Sequence, residues 1–470
     1  MSGAGRDVGC FDTSAARLRA ARRRAALSLA VAVVLGAPGV PAAATYYVRQ
    51  TVGDDARDGL KPQTAWQHLS KLSSAMHAGD VAYVGPGLYR DEIVVENDGA
   101  PEARIVFVAD TTGQHTGDPP GTVMVTGADP VDGTIFAPHT VPGVYTARIP
   151  SMVWGAVEMD GPQYRYGGTR ETRELVVEKM APIDVVAKLP STYYYDEAEK
   201  VLYLHTSDGR PPAAHEMELI HRGNGIFVQG KHYVTVMGFT FRHMQDSGVS
   251  FFKGSGDGIA VDNTSYGSRQ GIRVYGATNV LVYGNTLFRN ENCGVYFAAQ
   301  SANGEAIGNT AYENTKGVRW SSQSVDGLCL DNTLFDNHER GIAIENADRA
   351  LVRRNRVVNN GASQLLVIES VYSSERNCYE SGGPTELIAE FYPYFATDRY
   401  KTLAEYQRAK HQDLSSGAGG CGPLPAKVDV HRVHAETLAY AERARKLPNG
   451  GRESEGGASV RRWLDWLLGR

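Results

Sequence analysis

Apolar and polar residues alternate with period 2 through most of this chain, in runs of four to six residues closed by Gly, Asn or Asp. That pattern predicts short strands; a helical hairpin repeat would show spacing near 3.6. Six of the runs open on Gly and a β-branched residue: GIFVQ at Gly225, GVSFF at Gly248, GIRVY at Gly271, GVYFA at Gly294, GVRWS at Gly317 and GIAIE at Gly341. The glycines recur every 23 residues, with a last step of 24. A second short strand follows in each unit, as in NVLVYGN and GLCLDN, and then an Asn at nearly constant offset: Asn263, Asn285, Asn309, Asn332 and Asn355.

A strand this short cannot bury its apolar side alone. Stacking equivalent strands from successive units satisfies their hydrogen bonds and builds a continuous interior, with rungs about 4.8 Å apart. The recurring Asn reads as a structural ladder in a tight turn, held left-handed or bonded to neighbouring amides. The residue after each Gly is expected to point inward and the next outward.

The Gly-[Ile/Val]-x-[Val/Ile/Phe] strands and Asn-bearing turns resemble the right-handed parallel β-helix proteins of the pectate-lyase-like superfamily, in particular secreted carbohydrate-active members. The opening segment is similar to theirs: a YYV strand from Thr45, an Asp/Gly turn, a short helix, Gly79-Asp80, Val84, and a turn with Gly87 and Tyr89. The likeness covers residues 45–110 and 220–370. It implies an all-β fold, a right-handed parallel β-helix with a small inserted antiparallel β lobe and short C-terminal helices. It implies no one activity, because the superfamily holds lyases, hydrolases, epimerases and non-enzymatic members.

Six segments are expected: a signal peptide (1–44), an N-terminal part of the coil and its cap (45–110), the inserted lobe (111–220), the repeats (221–378), a C-terminal loop and helical cap (379–447), and a flexible tail with an amphipathic end (448–470). In the lobe, GTVMVTGADP, GVYTARIP, WGAVEMDGPQYRY and KVLYLHTSDGRPP read as antiparallel strands. In the cap, YKTLAEYQRAKHQ reads as a helix, with Asp413, Ser415 and Ser416 after it in positions similar to those of related β-helix proteins. It is expected to cover the open end of the coil.

The export reading rests on a basic stretch from Arg17 to Arg24, an apolar run from Ala25 to Ala37 and Ala42-Ala43-Ala44. A secreted or periplasmic location follows, with no stable membrane span once the signal is removed. Cleavage would leave 42 basic against 51 acidic residues, a balance that argues against a nucleic-acid partner. Export also permits disulfides. Cys378 and Cys421 bracket a Gly-rich excursion and are expected to be bridged, while Cys293 and Cys329 read as buried small hydrophobes. Asp54, Asp55 and Asp58 form an acidic turn that offers calcium as a possible cofactor; no other is indicated.

On the outward face two columns stand out: Phe227, Ser250, Arg273, Tyr296, Arg319, Ala343, and beside it Gln229, Phe252, Tyr275, Ala298, Ser321, Glu345. Aromatic rings and Arg suit a polysaccharide substrate. Counting 24 residues on from Gly341 to Leu365 places Glu369 one rung from Glu345, the arrangement of a retaining glycosidase pair about 5 Å apart. Glycoside hydrolysis by Glu345 and Glu369 is the first expectation. The alternative is a lyase or uronate epimerase, with Arg273, Arg319 and Lys316 neutralising a carboxylate and Tyr296 moving the proton. Phe252, Tyr275 and the turn residue His338 would help bind substrate; Asp246 and His243 lie in the equivalent turn. A non-catalytic carbohydrate-binding or surface scaffold is the third reading.

Overall fold

The computed structural model describes residues 43–159, 182–382, 386–391 and 398–444. The signal segment and the amphipathic end lie outside them, as does most of the aromatic loop at 392–397. The chain winds into a right-handed parallel β-helix of three ten-stranded sheets. The first sheet runs from Thr45–Val48 to Val371–Glu375, the second from Gly87–Tyr89 to Gly417–Ala418, and the third from Ile93–Val95 to Asp398–Tyr400. Each turn visits the third sheet, then the first, then the second, as in Ser247–Phe252, Ile259–Val261 and Thr264–Tyr266.

The repeated glycine has a steric cause. A Cβ on Gly271 would lie 2.6 Å from the carbonyl oxygen of Gly294, and one on Gly317 would lie 2.5 Å from that of Gly341. Any side chain there would push the rungs apart. The residue after each glycine points inward as expected: Ile226, Val249, Ile272, Val295, Val318 and Ile342 are fully buried. Two positions further on, Phe297 and Trp320 stack inside the coil with ring centres 4.9 Å apart.

The Asn column is a ladder. The Asn309 side-chain oxygen accepts from the Asn285 backbone N–H at 3.0 Å and from its amide at 3.0 Å, and each rung repeats this to Asn377. The left-handed residue is the one before, at Asp262, Asp331 or Arg354. Its bend turns the chain straight into the three-residue strand of the second sheet. A second ladder of Asn290, Asn314, Asn337 and Asn360 lines the next corner.

The lobe begins later than the sequence suggests. Val123–Thr126 pairs in parallel with Gly87–Tyr89 and Thr240–Arg242, so it is a rung of the coil, completed before the chain leaves at Ala128. Among the described residues, the lobe itself has a three-stranded and a four-stranded antiparallel sheet. It is pinned to the coil by Glu218, whose carboxylate takes Arg242 Nη2 at 3.0 Å and Arg90 Nη2 at 2.9 Å.

The far end is closed by Asp398–Tyr400, which pairs antiparallel with the last strand of the third sheet, and by helix Leu403–Lys410 with a Thr402/Glu405 capping box. Asp413, buried behind that helix, accepts from Tyr379 Oη at 2.9 Å, while Ser415 and Ser416 accept from the backbone N–H groups of Arg376 and Asn377. The Cys378–Cys421 disulfide is present, and Cys293 and Cys329 are free and buried. From Cys421 the chain turns back along the second sheet. It covers an outward stack of Tyr266, Phe288, Tyr312 and Phe335, held by Lys427 on Glu313 and Asp336, before helix Val430–Ala444.

Candidate functional site

The third sheet presents the expected outward columns. Cα pairing puts Arg273, Tyr296 and Arg319 on three consecutive rungs, with Tyr296 between the arginines. Arg319 donates to Glu345 through Nε at 2.8 Å and also through Nη2, and its guanidinium lies 5.2 Å from the centre of the Tyr296 ring. Burial disfavours the charge of Arg319, but the Glu345 carboxylate more than offsets this and holds its pKa up. The Tyr296 hydroxyl accepts from Ser321 Oγ at 3.1 Å. Beneath Arg319 sits the Cys293 thiol, pushed up to about 12 by burial and so kept protonated.

One rung below Tyr296, Arg273 donates to Asp246 through Nη1. Its guanidinium lies 4.8 Å from the Phe252 ring centre and 4.6 Å from that of Tyr275, and those two rings stack at 5.3 Å. Phe227 continues the platform at 5.7 Å from Phe252. Lys316 pairs with Glu339 at 3.2 Å. Planar guanidinium forks beside flat rings suit a carboxylate-bearing sugar.

The proposed carboxylate pair is out of register. Leu365 stands beside Ile342, so Ile368 and not Glu369 is the neighbour of Glu345. The last unit keeps the 23-residue step, with Gln364 in the glycine position, and a count from Gly341 to Leu365 overshoots by one. Glu369 is exposed, in a left-handed bend past the strand end, and Glu345 is committed to Arg319. His338 is exposed in its turn, and its ring makes no hydrogen bond among the described residues. The acidic turn spends its carboxylates separately: Asp55 takes the Gln67 N–H and the His68 ring, and Asp58 takes the Leu60 N–H and the Thr64 hydroxyl.

Sequence reasoning did not single out Glu92 or Gln270. Glu92 lies at the upstream end of this face, accepts from the Asn224 N–H at 3.2 Å, and has its pKa raised by burial. Gln270 stands beside Ser247 on the neighbouring rung. Both sit just outside the glycine-led motif that defines the columns. At the same N-terminal end of the coil, a cavity of about 400 Å³ is lined by Gln50, His68, Arg90 and Leu438.

A family described as periplasmic copper-binding protein (NosD) matches residues 206–375. Among solved structures, the complex of XylC with xylose superposes with a TM-score of 0.54 at 15% identity, over 73% of this chain and 66% of that one. A rhamnogalacturonan lyase gives 0.45 at 12% identity, over 90% and 99%. A mutant of the periplasmic alginate epimerase AlgG gives 0.33 at 19%, over 36% and 46%. The chain thus spans just under two thirds of the first structure and less than half of the last. No curated protein matches the sequence. The likeness to the xylose complex establishes the β-helix fold.

The family's description implies copper, and the described residues do not fit it. No three His, Cys, Asp or Glu side chains among them converge on a point. The two free thiols are buried, and Cys329 is taken up by the Asn ladder through Asn332 Nδ2 at 3.4 Å.

Proposed function

We propose that this exported protein binds an acidic polysaccharide along the outward face of the third sheet and removes the C5 proton of a uronate residue. The observation that carries this reading is the Arg273–Tyr296–Arg319 column, two guanidiniums with a phenol between them on successive rungs. The arginines neutralise the uronate carboxylate, which makes the neighbouring C–H acidic, and Tyr296, reacting as the phenolate, takes the proton and becomes the phenol. In elimination, the freed electron pair forms the C4–C5 double bond, the C4–O bond breaks, and the departing oxygen takes a proton from water. In epimerisation, the same carbanion is reprotonated on the opposite face. Hydrolysis by Glu345 and Glu369 is not carried forward, because its geometric basis fails. Work outside the cytoplasm agrees with the periplasmic family matched over the repeats.

A binding-only role is the second reading. It is favoured by the pairing of both arginines with carboxylates, Asp246 and Glu345, since a substrate must share or displace these. Incubating the mature protein with uronate polymers and neutral glycans separates the readings. Growth of ultraviolet absorbance from unsaturated ends marks elimination, and altered uronate configuration by NMR without that absorbance marks epimerisation. Binding without turnover establishes the scaffold role. New reducing ends without unsaturation would overturn the proposal.

A further inference from the structure

The corners that follow the third-sheet strands change length beside Tyr296. After Ala298 and after Ser321 the chain turns through two residues, Ala299-Gln300 and Ser322-Gln323, whereas the corners on either side have one, Gly276 and Asn346. All four residues of the longer corners are left-handed, with φ of 54° and 64° in each pair. They are the only two such successive non-glycine pairs among the described residues. This conformation is uncommon for a residue with a Cβ and gathers where a chain is shaped for a ligand. With Asn346, the two corners line an open cavity of about 470 Å³. Gln300, Ser322, Gln323 and Asn346 are all exposed, so a ligand reaches them from solvent. The cavity adjoins the reacting position, because Ser322 Oγ lies 3.3 Å from Ser321 Oγ, which donates to Tyr296 Oη at 3.1 Å.

We infer that this cavity is a subsite for a neutral pyranose residue that neighbours the uronate in the polymer. The inference rests on the reading of this face as a polysaccharide groove with Tyr296 at the reacting position. The chemistry of the lining selects the occupant. None of the five lining residues is charged. Gln300 Nε2 donates to Gln323 Oε1 at 3.0 Å, which leaves Gln300 Oε1 to accept and Gln323 Nε2 to donate. The Asn346 amide offers both kinds of group, and so does the Ser322 hydroxyl. A sugar hydroxyl donates once and accepts as well, so a row of hydroxyls matches this mixed set. A carboxylate only accepts, and would face the amide oxygens with nothing to donate. The next corner after Asn346 holds the exposed Glu369, which disfavours a second uronate further. The arginines that suit a carboxylate stand on the strands, at Arg273 and Arg319, and not in the corners. The preferred polymer therefore places a neutral sugar beside the reacting uronate.

The test compares two tetrasaccharide probes, one of uronates only and one alternating uronate with neutral hexose. Binding is measured by calorimetry on the mature protein in a Tyr296→Phe background, which keeps the probes intact. Gln300→Ala with Gln323→Ala removes amides from exposed corners, so the variant is expected to keep the Tm of its background, and lost binding is not lost folding. The expected result is tighter binding of the alternating probe, and a loss of about 10-fold for that probe in the double variant against about 2-fold or less for the uronate-only probe. Equal affinity for the two probes, or an equal loss of both in the double variant, would overturn the subsite and leave the uronate position standing. Binding of neither probe would overturn the groove and the subsite together. The reaction at Tyr296 is read separately, from product formation on polymer by the wild type.

Discussion

The Arg319 guanidinium lies 5.2 Å from the centre of the Tyr296 ring, one rung along the coil, while the same group is gripped by Glu345. Each partner constrains the other. Glu345 fixes the fork, the fork roofs the phenol, and the Tyr296 hydroxyl is left facing Ser321. The coil supplies this precision cheaply, because rung pairing sets the spacing of every outward side chain.

Glu218 ties the lobe to the coil, and its removal is the most damaging change expected away from the face. Burial pushes its pKa up, but Arg242, His243 and Arg90 outweigh burial and hold the carboxyl well below the usual range. Glu218→Gln leaves Arg242 buried with a lost counter-charge and should destabilise the protein by about 3–5 kcal/mol. Because the folded pKa is depressed, this contribution is present above the unfolded value of about 4.3 and is lost as pH falls through the folded value. Denaturant unfolding from pH 7 down to pH 3 should show the wild type converging on the variant; a constant gap would contradict the account.

Asn309 sits in mid-ladder, accepting from Asn285 and donating to Asn332 and the Val282 carbonyl. Asn309→Ala strands buried groups on both neighbouring rungs. A loss of about 1–3 kcal/mol per stranded group is expected, against a few tenths for the exposed Glu102→Ala. Urea unfolding of the pair measures the difference, and equal losses would refute the ladder's role.

The Cys378–Cys421 bridge closes 43 residues of sequence. Chain-entropy arguments give such a loop about 4 kcal/mol at most. Replacing both with Ser should lower Tm. It should also free the returning segment, seen as faster hydrogen exchange at Val428, whose N–H donates to Tyr312 Oη at 2.8 Å.

Copper uptake gives a fourth check. With no converging ligand set among the described residues, the mature protein is expected to retain less than one copper per chain after exposure to a competing chelator. Stoichiometric retention would contradict this.

Much of the fold was legible because its causes are local. Each repeated Gly sits where the next rung's carbonyl leaves no room, and each Asn where a bend needs a ladder. The second sheet was hidden, because strands such as Thr264–Tyr266 follow the Asn at once and three residues show no alternation. The last rung was misread because Gln364 replaces the glycine used for counting. The ion pairs were out of reach for another reason. Arg273 with Asp246, and Arg319 with Glu345, cross between rungs at separations of 27 and 26 residues, off the regular 23-residue step. Nothing in the periodicity marks which charged groups lean toward each other.

The central claim is that Tyr296 moves a uronate C5 proton between two arginines. Its most direct test is deuterium exchange at C5, followed by NMR on a uronate polymer in heavy water with wild type, Tyr296→Phe and Arg319→Gln. The account predicts exchange or unsaturation with the wild type, a fall of about 100-fold or more in Tyr296→Phe, and a comparable loss in Arg319→Gln. Turnover that survives unchanged in Tyr296→Phe would contradict it.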